Sequence, residues 1–208
     1  SLGELAEKGH ESELEILSQK VQQKHLEIAK PEDVIYEAMG FCYEKQKNFT
    51  KARYYYRQAS QLSPEDDSIF YKIGETYTRE KQWEKAVKAY SVALHLNREN
   101  ASYCMAIGNC LMEMNVKNEA LICFLNAVRL KPNNKSTWVA LIKGLYLSGF
   151  YEEALTQIEL AKENCDDKPD FHYLKSLCLF DLGKSKEALV HLEAGLKTGL
   201  KKLKMFTE

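Results

Sequence analysis

Alanines at positions 52, 86, 120, 154 and 188 recur every 34 residues, and Ala59, Ala93, Ala127 and Ala161, followed by Gly195, keep the same step seven residues further on. Self-similarity at such an interval marks an array of small units, each unable to bury its own apolar face and each packed only against its neighbours. Length therefore ceases to count domains. A chain of 208 residues would suggest one or two globular domains, whereas an array is a single quasi-one-dimensional body.

The units can be read column by column. In the first, Tyr36, Met39, Gly40 and Tyr43 place large apolar groups at helical spacing around one glycine, a second helix is predicted from about Phe49 to Leu62, and Ser63-Pro64 closes the unit. Phe70, Ile73, Gly74 and Tyr77, then Trp83, Ala86, Tyr90 and Ala93, repeat the scheme. The third unit has Cys104, Ile107, Gly108 and Leu111, then Ala120, Phe124, Ala127 and Pro132. Glycine inside a helix costs about 1 kcal/mol relative to alanine, so these columns predict a compensating close approach of the partner helix, with its alanines at the contact. The fourth unit puts Ile142 in the glycine column while Trp138, Leu141, Leu145, Gly149, Ala154 and Ala161 hold. In the fifth, His172, Lys175 and Ser176 replace apolar, apolar and glycine, and Leu179, Gly183, Ala188 and Leu192 remain. Packing in these two units is expected to differ, with Lys175 facing solvent or an adjoining segment.

Phe70, Ile73-Gly74, Tyr77, Ala86, Tyr90 and Ala93, with Pro64 and Pro132 closing two units, resemble the tetratricopeptide repeat pattern. The resemblance covers residues 33 to about 202, five consecutive units without an insertion. It implies an all-α fold, a right-handed superhelical solenoid of antiparallel helix pairs, whose first helices line a concave groove that commonly holds a peptide. The array is assigned to residues 31–202, opening at Lys30-Pro31-Glu32-Asp33, where proline and carboxylates suit a first helical turn. Residues 1–30 are expected to be an N-terminal helical segment, with Leu14, Leu17, Val21 and Ile28 at amphipathic spacing. It is either a degenerate repeat, since Gly9 precedes Leu14 as Gly149 precedes Ala154, or a cap on the apolar end of the stack. Phe206 stands 34 residues after His172, so residues 203–208 read as the start of a further, truncated helix and predict that the natural chain continues beyond Glu208.

Helical geometry projects a free face on each first helix. It carries Glu37, Phe41 and Glu44; then Tyr71, Glu75 and Thr78; then Met105, Asn109 and Met112; then Val139, Lys143 and Tyr146; and finally Tyr173, Leu177 and Phe180. This face begins acidic and ends aromatic and aliphatic, which suits the side chains of an extended or helical peptide. The competing expectation is that neighbouring repeats, or another part of the native chain, fill the groove. A version of the family clamps terminal carboxylates with lysines and asparagines on three successive units; here only Asn109 and Lys143 are of that type, so the clamp is not expected.

Charge and chemistry narrow the remaining classes. With 29 Lys and Arg against 30 Asp and Glu there is no basic field to attract nucleic acid, and no run of about 18 apolar residues predicts a membrane span. Six cysteines, with Cys42, Cys110 and Cys178 in one column, read as small buried hydrophobes of a reducing, cytoplasmic setting, although a removed leader would change that. The histidines are scattered without zinc-ligand spacing, and no phosphate loop is present, so no cofactor, metal or catalytic site is predicted. Glu84, Glu119, Glu152 and Glu153 are expected to support first turns. Asn48, Asn100 and Asn134 read as helix caps rather than glycosylation acceptors, and Lys197, Lys201, Lys202 and Lys204 as a solvated helix end. The function expected is a non-catalytic scaffold that binds a partner peptide or protein in its groove. A regulatory or targeting region of a larger enzyme, and a secretion or assembly chaperone, stand as alternatives.

Overall fold

The computed structural model describes residues 32–165 and 169–204. The segment 1–30, whether degenerate repeat or cap, lies outside the described residues, as does Phe206. Within them the chain forms five helix pairs: α1 (Glu32–Lys45) with α2 (Phe49–Leu62), α3 (Asp67–Arg79) with α4 (Trp83–Leu96), α5 (Ala101–Glu113) with α6 (Lys117–Leu130), α7 (Lys135–Leu147) with α8 (Tyr151–Cys165), and α9 (Pro169–Asp181) with α10 (Ser185–Lys204). Ser1–Glu99 and Asn100–Glu208 form two compact units. The all-α solenoid architecture of stacked antiparallel pairs is present in both.

Local chemistry sets the helix starts as expected. Asn48, Asn100 and Asn134 accept hydrogen bonds from the backbone N–H groups of Lys51, Ser102 and Ser136, and Asp66 does the same for Ser68. Glu84, Glu119, Glu152 and Glu153 occupy first turns, where the helix dipole favours negative charge.

In the first unit, α1 packs on α2, α2 on α3, and α3 on α4. Its core joins Tyr43, Ala52, Tyr56, Ala59, Ile69 and Ile73, with Tyr36, Tyr55, Tyr77 and Ala89 against it. The glycine columns do face a close approach, but the partner is not the alanine series. A Cβ on Gly40 would lie 2.5 Å from the Tyr56 ring, and one on Gly74 would lie 2.4 Å from the Tyr90 ring. An aromatic ring from the second helix fills the space that glycine leaves, so large and small meet across the pair. The alanines Ala52, Ala59, Ala86 and Ala93 are themselves fully buried.

In the second unit, α5 through α10 follow the same order of packing, and the first helices α5, α7 and α9 also touch one another in succession. A Cβ on Gly108 would lie 2.6 Å from the Phe124 ring. In the fourth pair the roles change, as anticipated from Ile142: both Ile142 and Ile158 are fully buried, a larger residue in the glycine column matched by a smaller one where a ring would stand. Buried Ser176 takes the fifth position. His172 is also buried, and its ring stacks on that of His191 at 5.7 Å. Lys175 turns to the adjoining helix α8, where it pairs with Glu159 and holds that carboxyl below its ordinary range. Finally, α10 runs from Ser185 to Lys204.

Five of the six cysteines are buried, Cys42, Cys110 and Cys178 among them; Cys123 is half-buried, and none of the six forms a disulfide. No helix among the described residues is long and apolar enough to cross a membrane.

Candidate functional site

The face of α1 and α3 is acidic, but most of its side chains are already engaged. Glu37 forms an ion pair with Lys72. The Tyr56 hydroxyl, reaching across from α2, donates to Glu44 Oε2 at 2.8 Å; burial, that hydrogen bond and the charges of Glu44, Glu37 and Glu75 push this phenol upward. Burial and the Glu44 carboxylate likewise raise Glu75, against the pull of Arg79. Tyr71 hydrogen-bonds to Glu75 and lays its ring 5.3 Å from that of Tyr90. Thr78 Oγ1 donates to the Gly74 carbonyl at 3.1 Å and meets the Tyr90 hydroxyl at 3.1 Å. Phe41 stays 44% exposed, with the Lys45 ammonium 5.2 Å from its ring centre.

The hydroxyls of Tyr56 and Tyr90 belong to this face although they come from second helices. Their signal was present in one column, which reads tyrosine, tyrosine and phenylalanine at 56, 90 and 124, opposite Glu44, Thr78 and Met112. A phenol stands where the facing residue is polar, and a plain ring where it is not.

The α5–α7–α9 face of the second unit has a different character. Met105, Met112, Val139, Tyr146 and Leu177 are half-buried, and Asn109 and Lys143 are exposed. Met112, Val139 and Tyr146 rest partly on the core of this unit. Tyr146 also lies 5.6 Å from the Tyr151 ring, and hydrogen bonding to the Asp181 carboxylate of α9 holds its phenol up at about 12. Tyr173 and Phe180 remain 55% and 64% exposed on α9. The strip thus runs from the thioethers of Met105 and Met112 and the aliphatic Val139 to two open rings, with one amide and one ammonium beside it. Among the described residues no group of histidine, cysteine and carboxylate side chains is placed to hold a metal ion.

Residues 34–66, 69–97 and 101–134, which correspond to the first three helix pairs, match the tetratricopeptide repeat family. The chain is a tetratricopeptide repeat protein. Residues 118–195 of this repeat protein are also similar to subunit 3 of the anaphase-promoting complex, cyclosome. Among solved structures, that of MamA shares 17% identity at a TM-score of 0.70, covering 80% of this chain and 97% of the other. MamA from Desulfovibrio magneticus RS-1 shares 13% identity at a TM-score of 0.71, covering 84% and 98%. YrrB, described as a TPR protein with an unusual peptide-binding site, shares 20% identity at a TM-score of 0.65, covering 87% and 91%. At these identities the likeness is one of fold. No curated protein matches this repeat protein in sequence.

Proposed function

We propose that this chain is a non-catalytic interaction module that holds a partner polypeptide against the free faces of its first helices, with apolar side chains of the partner docking on α5, α7 and α9. The observation that carries this reading is the pair of open rings, Tyr173 and Phe180, exposed by 55% and 64% on one face of α9. Leu177 lies between them and is half-buried. Aromatic side chains give large contact area at small entropic cost and dominate the energetics of docking surfaces. Met105, Met112, Val139 and Tyr146 extend the strip, and Asn109 and Lys143 supply polar contacts that set register. On the other unit, Phe41, Tyr71 and Glu75 offer a smaller acidic and aromatic face suited to a basic stretch of polypeptide. The fold shared with YrrB, whose structure is described as having a peptide-binding site, is consistent with such use. Six cysteines outside any disulfide favour a reducing compartment, and with it the cytoplasm, as the setting.

Selecting a random peptide library on the 208-residue chain, then measuring each recovered peptide on a Tyr173→Ala/Phe180→Ala variant, tests the assignment. Both side chains are exposed, so helix content by circular dichroism should be unchanged, while affinity should fall by roughly tenfold or more. Peptides that bind parent and variant equally would remove the α9 face from the proposal, and a library that yields none would favour a groove filled by the protein's own chain.

A further inference from the structure

Away from these faces, the first unit contains an open cleft of about 460 Å³ lined by Arg53, Tyr54 and Arg57 of α2, Tyr77 of α3, Gln82, and Lys85 of α4. Three cations gather there on one ring. The Arg53 guanidinium lies 4.5 Å from the centre of Tyr77 and the Lys85 ammonium 5.8 Å from it, while Arg57 Nη2 donates to the Tyr77 hydroxyl at 2.7 Å. Arg53 is only 8% exposed. Its Nη1 sits 2.7 Å from Glu80 Oε2, yet that nitrogen is buried and makes no aligned hydrogen bond. Glu80 is meanwhile drawn to Gln82, whose Nε2 donates to it at 3.0 Å, and Lys85 donates to Gln82 Oε1 at 2.9 Å.

The charge balance is uneven. Among the described residues neither Arg57 nor Lys85 has a carboxylate partner, so three cations against the one carboxylate of Glu80 leave two positive charges. Arg53 and Arg57 are also four residues apart on one helix face, where like charges repel. Cation–π attraction to Tyr77 offsets part of that repulsion, but the arrangement retains two uncompensated charges at an open mouth. A small dianion balances them. The planar fork of arginine suits two oxygens of one tetrahedral anion, and a phosphate monoester carries about −1.5 to −2 charge at neutral pH on three acceptor oxygens.

We propose that this cleft is a binding site for a doubly charged phosphate group, held by Arg53, Arg57 and Lys85, with Tyr54 at the rim against whatever bears the phosphate. Tyr54 is 59% exposed and lines the same opening. The site stands apart from the first-helix faces and does not depend on the peptide reading.

The test is a nuclear magnetic resonance titration of the 208-residue chain with N-acetyl-phosphoserine amide, N-acetyl-serine amide and inorganic phosphate. The phosphoserine compound should shift the Tyr77 and Arg57 signals and the serine compound should not. Arg57→Gln and Lys85→Gln should each weaken the phosphoserine compound by roughly tenfold with unchanged helix content. Binding should also fade as pH drops through about 6, where the monoester becomes a monoanion. Tighter binding of the ester than of inorganic phosphate would assign the cleft to a phosphorylated molecule, and equal binding to the free anion, both within the same chemistry. Indistinguishable phosphoserine and serine titrations, or variants that bind like the parent, would overturn the proposal.

Discussion

A methyl group at position 74 would stand 2.4 Å from the Tyr90 ring, closer than van der Waals contact allows, so Gly74→Ala forces either the ring or the helix to move. Overpacking of this kind costs about 1–3 kcal/mol, and urea unfolding of the variant should show a loss in that range. Tyr90→Leu in the same chain frees the space, so the double variant should lose less than the two single losses combined, by about 1 kcal/mol; strict additivity would mean that the ring is not the constraint. The natural exchange at Ile142 and Ile158 is the same trade made in sequence. The glycine column was legible from spacing alone, and so was the need for compensation. The compensating group was not, because the alanine series and the aromatic series recur with the same period. Which of them meets the glycine depends on how the two helices cross.

Two positions beyond the last residue of each first helix the backbone enters the left-handed region: Lys47 (φ 61°), Lys81 (56°), Asn115 (60°), Gly149 (86°) and Gly183 (77°). The next backbone N–H then closes back onto the helix, as Asn48 to the Tyr43 carbonyl at 2.9 Å, Gln82 to Tyr77 at 2.9 Å and Phe150 to Leu145 at 3.0 Å. This is the six-residue closure of a Schellman turn, for which glycine is the favoured residue. Nothing lies within 4 Å of a Cβ built on Gly149, so Gly149→Ala tests backbone conformation without a clash and should destabilise by about 1 kcal/mol. Lys81→Gly should stabilise by about 0.5 kcal/mol, the left-handed cost less the added freedom of the unfolded chain; thermal melts of the pair should move in opposite directions. Helix extents were readable because caps and apolar periodicity are local. The second helix predicted from Phe49 to Leu62 is α2. The left-handed lysines were not readable, since lysine has no preference for that conformation and adopts it only when the closing hydrogen bond requires it.

At the scale of the whole molecule, folding withdraws the thiols from solution chemistry. Burial pushes Cys42 and Cys104 upward. It raises Cys178 to about 11, and Cys123, helped by Cys104 and Glu119, to about 11 as well. A raised pKa leaves less thiolate, and the thiolate is the reacting species. At pH 8 the native chain should therefore react with a thiol reagent at least about tenfold more slowly than the chain in denaturant, where all six cysteines become available. Rapid modification of several thiols under native conditions would contradict the packing described.

The 34-residue step, the five helix pairs, the caps and the buried cysteine column were determined by the sequence itself, because each is expressed in periodicity or in contacts within one turn. The candidate faces were only half determined. Spacing placed Glu44, Tyr71 and Phe180 alike on free faces, but tertiary packing engaged the first with Tyr56 and the second with Tyr90, and left the third open. The cationic cleft required three helices to bring Arg53, Tyr77 and Lys85 together. Exposure and pairing depend on which side chains arrive from elsewhere in the chain, and no column of a repeat records that.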